Sequence, residues 1–596
     1  MLTRLLSQLL KPSPKAPAVA AINPDVELAY KALFDGDSVQ AERICRTALT
    51  KKPTSKETTL LLSRILAERG SLGDAKNLLD PLLARSPNDP DIQAALGNVC
   101  RMMGENTAAA AHYAASLGTD PRQPLMLLNF GRLQIELGQE AEGLSKLRVA
   151  VELQPDLIDA LKLLVPKLLD QGENDEAIAL LNRAAELQPR NADILNGLGF
   201  AWQRHFQPEK ALDYYRQALK KSASDHEIWD NYGTALQDLM RLDEAIVAYD
   251  KAISLRPDHP IPRWHRSLAY LLQGDFEHGW PDYELRLFPE QVPAPRQFPY
   301  PRWRGELLAD KTILVYAEQG LGDEIMFSSC LPDLVDQAGH VIVECARKLA
   351  PILARSFPTA TIHGGDPGDS QSWLATMPPI DLQVPIGSLP LYFRKHREAL
   401  PLHTGYLKAD PAAVAAWRKK LDAFGPGLAV GISWRGGTRI SRRQIRSINL
   451  EDWLPILSLQ GVHFVSLQYD EHDQEIQRLA NQHGIRVTQW KEALDDFGQT
   501  VALVSALDLV VSVCTTVIHL SGALNKEAWV LVPACPEWRY GAEGTDMPWY
   551  PSIHLYRQRT VGEWAPTISG VAGSLSQRIS QTQGITQHDS IHPAKS

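Results

Sequence analysis

The chain has 596 residues, 44% of them hydrophobic and 22% charged, a globular composition with room for about three or four domains. Lys and Arg number 61 against 70 Asp and Glu, and the net charge of −9 argues against a general nucleic-acid binder. The cysteines lack metal-ligand spacing and no apolar run approaches a membrane span, so the expectation is a cytoplasmic protein without signal peptide, metal or integral membrane association.

Residues 1–22 read as a flexible segment, with Leu2, Leu5, Leu6, Leu9 and Leu10 on one or two amphipathic turns. From there the chain keeps a period of 34. Prolines recur at Pro53, Pro87, Pro121, Pro155, Pro189 and Pro257. Glycines recur at Gly36, Gly70, Gly104, Gly138, Gly172 and Gly274, and again at Gly97, Gly131, Gly199 and Gly233. Alanines mark a third register at Ala41, Ala75, Ala109, Ala177, Ala211 and Ala245. The pattern describes a repeated helical hairpin: small residues where the helices approach, glycine at the turn, proline where the unit stops. It resembles the tetratricopeptide repeat, in about seven units over 23–288. Such a solenoid presents a concave face to an extended or helical protein segment, with Asn129, Asn196 and Asn231 as candidate contacts to peptide backbone. A spacer or oligomerisation surface is the alternative.

Trp280, Tyr283, Leu285 and Leu287 form a bulky cluster expected to weld the last helices to the next domain, and a proline-rich connector spans 289–304. Alternating strands and helices then predict two parallel-sheet α/β modules, 305–405 and 406–560. The first opens with a strand over 313–316, Gly320 and Gly322, and a helix begun by Asp323 and Glu324. Further strands are expected over 341–344, 360–363, 428–434, 462–468, 485–487, 509–513 and 528–532, with helices over 349–357, 411–422, 473–483 and 500–506, another near Leu389 and one after Thr516. A closing helix is expected over 561–580 and a disordered tail over 581–596.

Loops beyond the carboxyl ends of parallel strands carry ligands in such sheets. Gly320 and Gly322 lack both the dinucleotide and the P-loop fingerprints. Asp323 reads either as a general base or as a helix-capping carboxylate. Thr515, Thr516 and His519 sit at a strand-to-helix junction suited to phosphate, with a core histidine as the alternative. Arg435, Arg439, Arg442, Arg443 and Arg446 form a basic loop that suits phosphate or carboxylate, or is merely solvated.

The ordered stretches AEQGLGDEIMF, VGISWRGG with Arg446-Ser447-Ile448, SLQ, TTVIHLSGAL, EWRYG and WYPSIHLYRQ resemble the C-terminal half of bacterial glycosyltransferases fused to tetratricopeptide repeats. These are heptosyltransferase-like enzymes of GT-B fold, and those that modify flagellin resemble the layout best. The resemblance implies an all-α solenoid followed by two Rossmann-like domains facing a cleft. It implies a nucleotide-sugar donor but no tightly bound cofactor, with Arg435, Arg446, Gln468, Thr515, Thr516 and His519 on the donor side and Gly320, Gly322 and Gly436 as site backbone. Asp323 would act as base and His519 as a catalytic residue on the side of the departing phosphate, in a metal-independent, inverting transfer to Ser or Thr of a protein held by the repeats, flagellin being the candidate. Cys514 departs from the family's usual Asp. The extra charge of Arg439, Arg442 and Arg443 suggests an acidic donor such as a CMP-linked nonulosonic acid. Two other readings compete: a degenerate transferase that serves as a protein-binding scaffold, and a polysaccharide or lipopolysaccharide transferase.

Overall fold

The computed structural model describes residues 24–288, 296, 298–366, 368–400, 404–437, 443–470 and 472–589. The expected N-terminal segment, part of the connector, Arg439 and Arg442 lie outside the described residues. The chain divides into two compact units, Met1–Ala201 and Trp202–Ser596.

The first unit consists of antiparallel helix pairs: Pro24–Phe34 with Ser38–Lys51, Lys56–Glu68 with Leu72–Arg85, Pro90–Met102 with Asn106–Thr119, Pro124–Glu136 with Glu140–Leu153, and Ile158–Gln171 with Asn174–Leu187. Gly36, Gly70, Gly104, Gly138 and Gly172 turn each pair with φ near +80°, a conformation that glycine adopts without steric cost. On the second small-residue register, a Cβ on Gly97 would lie 2.5 Å from the Tyr113 ring, and one on Gly131 would lie 2.9 Å from the Gly143 carbonyl oxygen. Helix crossing is therefore closest at these positions, and Ala41, Ala75, Ala109 and Ala177 are fully buried beside them. Leu61, Leu62, Ile65, Leu96 and Leu79 fill the space between successive pairs.

The second unit begins with the remaining repeats: Pro208–Leu219, then His226–Asp238 with Leu242–Leu255, and Pro260–Gln273 with Phe276–Tyr283. The glycine turn register falls here on Phe206 and Met240, which keep the left-handed turn at φ 58° without glycine. That conformation costs a side-chain-bearing residue about 1–2 kcal/mol, met by the packed helices on either side. The solenoid reading therefore holds through the last repeat, Pro260–Tyr283.

Two sheets follow in the same unit. The first has the order β3-β2-β1-β4, all parallel, with β1 Thr312–Tyr316, β2 His340–Ala346, β3 Thr361–Gly365 and β4 Leu382–Pro385. The second comprises β5 Leu428–Ser433, β6 Val462–Ser466, β7 Val487–Thr488, β8 Leu509–Val513, β9 Ala528–Val532, β10 Asp546–Met547 and β11 Tyr550–Arg557. Its order is β10-β11-β9-β8-β5-β6-β7, parallel except for the β10–β11 pair. β5, β8 and β9 are buried along their whole length, as expected of strands covered on both faces. Three strands escape the sequence expectation: the four-residue β4, the two-residue β10 and β11, whose YPSIHLYR alternates apolar and polar residues. The closing helix starts at Ala565 and continues to Asp589, into the stretch expected as tail.

Of the expected cluster, Trp280 and Tyr283 are in the buried core, whereas Leu285 and Leu287 are only half-buried and stand outside it. Trp280 is 1% exposed, lies against Phe276, Tyr283, Trp538 and Trp549, and donates its indole N–H to the Arg394 carbonyl at 2.8 Å.

Candidate functional site

β1 ends at Tyr316, and the helix Leu321–Phe327 begins after Gly320, which places Asp323 in its first turn. Gly322 brings this turn against the helix Thr516–Ala523: a Cβ on it would lie 3.2 Å from the His519 ring and 3.4 Å from the Thr516 hydroxyl. The structure thus joins Asp323, Gly322, Thr516 and His519, residues from both sheets, in one place.

What fills that place is a run of ion pairs. Asp323 accepts from Arg539 Nε at 2.7 Å. Arg539 also meets Glu537 at 3.4 Å, and Glu537 accepts from Arg446 at 2.6 Å. Arg539 is held firmly protonated; burial opposes its charge, but Asp323 and Glu537 outweigh that. His519 is 6% exposed, and burial, aided by the charges of Arg539 and Arg446, lowers its pKa to about 3. Its imidazole is therefore neutral, with Nδ1 3.4 Å from the Tyr550 hydroxyl, which meets Tyr406 at 3.3 Å. Cys514, at the position of the expected Asp, is buried, and burial pushes its thiol up to about 12.

The described arginines of the basic loop are paired in the same way. Arg435 pairs with Asp470 at 3.1 Å and with Glu475, and Arg443 pairs with Asp470 at 2.7 Å. Gln468 is 1% exposed: its Oε1 accepts from the Ser433 hydroxyl and the backbone N–H of Trp434 and Arg435, and its Nε2 donates to Asp470 and the Arg435 carbonyl. It ties β5 to β6. Gly436 packs on Thr515 and donates its N–H to the Ser447 hydroxyl at 3.3 Å, and Thr515 itself meets Ser512 at 3.2 Å. Gly320 stays at the mouth of the Asp323 turn, where its missing Cβ would meet only the Asp323 carboxylate. Sequence reasoning reaches the loops 468–470 and 533–540 but gives no role to Asp470, Glu537 or Arg539, and it misses Glu475. The stretch EWRYG held Glu537 and Arg539, but nothing local indicates that Arg539 meets a carboxylate 216 residues away.

Beside this joint lies a buried carboxylate pair. Glu324 accepts from the Ala346 N–H at 2.8 Å, and Glu344 is paired with Arg296. Burial raises the Glu324 carboxyl from 4.5 to about 7, with Glu344 and Glu318 adding to it against Ala346 and Arg296. The folded chain therefore holds a proton that the unfolded chain has released above pH 4.5, so stability falls as pH rises from there through about 7. Glu324→Gln should flatten that slope, with a gain of about 2.5 kcal/mol at pH 8 relative to pH 5 in the difference between variant and parent unfolding free energies from urea titration. Parallel profiles for the two proteins would contradict it.

The expected groove residues lie on first helices of their hairpins. Asn129 donates to Asn98 at 3.0 Å, on the neighbouring hairpin, and Asn196 is half-buried on Ala192–Arg204. Asn231, in the second unit, is half-buried on His226–Asp238. Among the described residues no helix is long and apolar enough to cross a membrane, and no three His, Cys, Asp or Glu gather as a metal site.

Family profiles described as tetratricopeptide repeat match residues 32–99 and 226–259, and one described as TPR repeat matches 167–205. Protein FlbA of Caulobacter vibrioides is 29% identical over 431 residues, 64% of this chain and 72% of the relative. That stretch is longer than the helical array, so the similarity extends into the α/β region. A peroxisomal targeting signal receptor of Kluyveromyces lactis is 29% identical over 83 residues, 14% of this chain and 15% of that protein. A solved tetratricopeptide repeat protein of Parabacteroides merdae is 18% identical, covering 41% of this chain and 97% of its own, at a TM-score of 0.31.

These findings correct the transferase reading. The N-terminal region is a tetratricopeptide repeat solenoid, and the repeats mediate protein–protein interaction. The matching profiles are all repeat profiles, and none of these relatives bears the name of a glycosyltransferase, of either the protein-modifying or the polysaccharide kind. The assignment to flagellin-modifying GT-B enzymes is therefore withdrawn, together with the inverting, metal-independent transfer. The physical reason lies in the side chains: the presumed base Asp323 is spent on Arg539, His519 is buried and neutral, and Arg435 and Arg446 already face carboxylates.

Proposed function

We propose that this chain is a protein-binding scaffold, in which the repeats hold a segment of a partner protein and the α/β region is a rigid, non-catalytic body. The observation that carries this reading is the array of helical hairpins, matched as tetratricopeptide repeats at three places along it. Asn129 and Asn196 on the repeats of the first unit, and separately Asn231 on those of the second, serve as amide contacts to bound peptide backbone, since a carboxamide both donates to C=O and accepts from N–H. The match to a targeting-signal receptor, short as it is, points the same way. The two parallel sheets are read as Rossmann-like domains, on their strand order and connections, with the donor-side residues recast as the polar joint between them. In that role the chain needs no nucleotide-sugar. A cytoplasmic setting suits the six free, buried cysteines.

The test is a photo-crosslinking amino acid placed at Asn129 or Asn231 of the full chain in its own cell. A discrete adduct with one protein is expected from both positions and not from the exposed Glu451 on the α/β side. Absence of any adduct specific to the repeat positions would refute the scaffold.

A further inference from the structure

A cavity of about 620 Å³ opens inside the second unit, between the last repeats and the loops that follow β9 and β11. Small-molecule sites span about 300–1,000 Å³. Pro533 and Ala534, on its wall, directly follow β9; Arg557 ends β11 and Gln558 follows it, and β11 runs parallel to β9. Ligands of parallel sheets sit beyond such carboxyl ends. Asp323, His519 and the arginines of the basic loop take no part in this wall.

The wall divides by burial. Leu271, Leu272, Phe276, Trp538 and Trp549 are buried and give it an apolar surface, whereas the charged Asp243, Arg397 and Glu543 are exposed. Two further polar side chains interrupt the apolar surface. Gln558 is 4% exposed; its Oε1 accepts from the Ala534 N–H at 3.2 Å, but its Nε2 has no hydrogen-bond partner among the described residues. Unmet buried donors are costly, and native proteins keep few of them. Arg557 is half-buried and donates to the carbonyls of Gly544 at 2.7 Å, Gly541 at 3.0 Å, Tyr540 at 2.6 Å and Glu543 at 3.1 Å. Among the described residues no carboxylate lies within ion-pair distance of it. The carbonyls satisfy its N–H groups and leave its charge unbalanced, and burial lowers its pKa against the pull of Cys514 and Glu543. Arg286 and Arg539, withdrawn from water in the same unit, both have carboxylates: Glu318 at 2.8 Å for the first, Asp323 and Glu537 for the second.

We propose that this cavity binds a small organic acid with an apolar body, whose carboxylate takes the free Gln558 amide N–H and balances Arg557 while its body lies against Phe276, Trp538 and the two leucines. An ionised acceptor makes the stronger hydrogen bond to an amide donor, and it supplies the charge that the carbonyls around Arg557 do not. A cationic ligand is disfavoured by Arg557 and Arg397, and a wholly polar one leaves the buried rings unused. The site is independent of what the repeats hold. Its wall includes Leu271 and Leu272 of the helix Pro260–Gln273 as well as the loops after β9 and β11, so a bound acid fastens the last hairpin to the second sheet.

The probe is 3-phenylpropanoate, titrated against the full chain and followed by saturation-transfer difference NMR, with 3-phenylpropan-1-ol and acetate as controls. The acid is expected to bind about tenfold more tightly than the alcohol, acetate to show no saturable binding, and the thermal midpoint to rise with the concentration of the acid. Gln558→Glu keeps the acceptor for Ala534 and sets a carboxylate oxygen in place of Nε2, so the advantage of the acid over the alcohol should vanish. Ala542→Phe, at a half-buried position on the same wall, fills the space without removing a side-chain hydrogen bond and should abolish binding of both compounds. Where Gln558→Glu lowers the thermal midpoint of the unliganded chain, the Ala542→Phe result takes its place. No saturable binding of the acid, equal binding of acid and alcohol by the parent chain, or unchanged binding by Ala542→Phe would overturn the site.

Discussion

Truncation of Trp280 to alanine is expected to lower the stability of the second unit by about 4 kcal/mol, the largest effect of any single side chain in the joint. The indole is 1% exposed and packs on four aromatic rings, Phe276 and Tyr283 from its own segment and Trp538 and Trp549 from the far end of the chain. Its removal leaves a cavity that these rigid rings cannot collapse into. It also strands the Arg394 carbonyl, which adds the cost of an unmet buried acceptor. The urea midpoint followed by far-UV circular dichroism checks the expectation. Trp280→Phe, which keeps the packing and loses the indole N–H, should recover more than half of the loss. If alanine shifts the midpoint no more than phenylalanine does, the cluster is not what holds the last helices to the sheets.

The second large effect concerns Asp323, and it inverts the meaning that the sequence suggests. As a catalytic base, Asp323→Ala would abolish an activity and spare the fold. As the partner of buried Arg539, the same change should cost about 3 kcal/mol of stability, because it strands a guanidinium that is only 13% exposed next to a single remaining carboxylate, Glu537. Arg539→Met should cost less, since Asp323, with 21% of its side chain exposed, can reach water. The pair Asp323→Leu with Arg539→Met should lie close to the parent, as an ion pair replaced by apolar groups of similar volume often does. A double-mutant cycle on urea midpoints measures this coupling. Additive single effects would mean that the pair stores no interaction energy, and the joint would need another explanation.

Much of the architecture is legible in the residues. The 34-residue period places each hairpin, and the interval continues through Phe206 and Met240 because the left-handed turn is required by the packing of the helices on either side, whatever residue occupies it. The apolar runs of β8 and β9 predict those strands to the residue, because a strand buried on both faces is mostly apolar, Ser512 being the one polar residue in the two. β11 escapes the same reasoning. It is half-buried, with Tyr550, Ile553 and Leu555 inward and Pro551 and His554 between them, so it carries no continuous apolar signal. β4 is too short for any period to register.

The loops that the sequence singles out do converge: Gly322 touches Thr516 and His519, and Gln468 holds Arg435. What those loops do was not written locally. A carboxylate after a glycine turn, a histidine at a helix start and a cluster of arginines have the same residue types whether they await a ligand or satisfy one another. Sequence alone determined the repeat solenoid and the succession of strands and helices, because periodicity and apolar runs act over neighbouring residues. Only the tertiary structure decided the charges. Asp323 finds Arg539 across 216 residues and Arg446 finds Glu537 across 91, and Coulomb attraction in a dry joint depends on distance in space rather than along the chain.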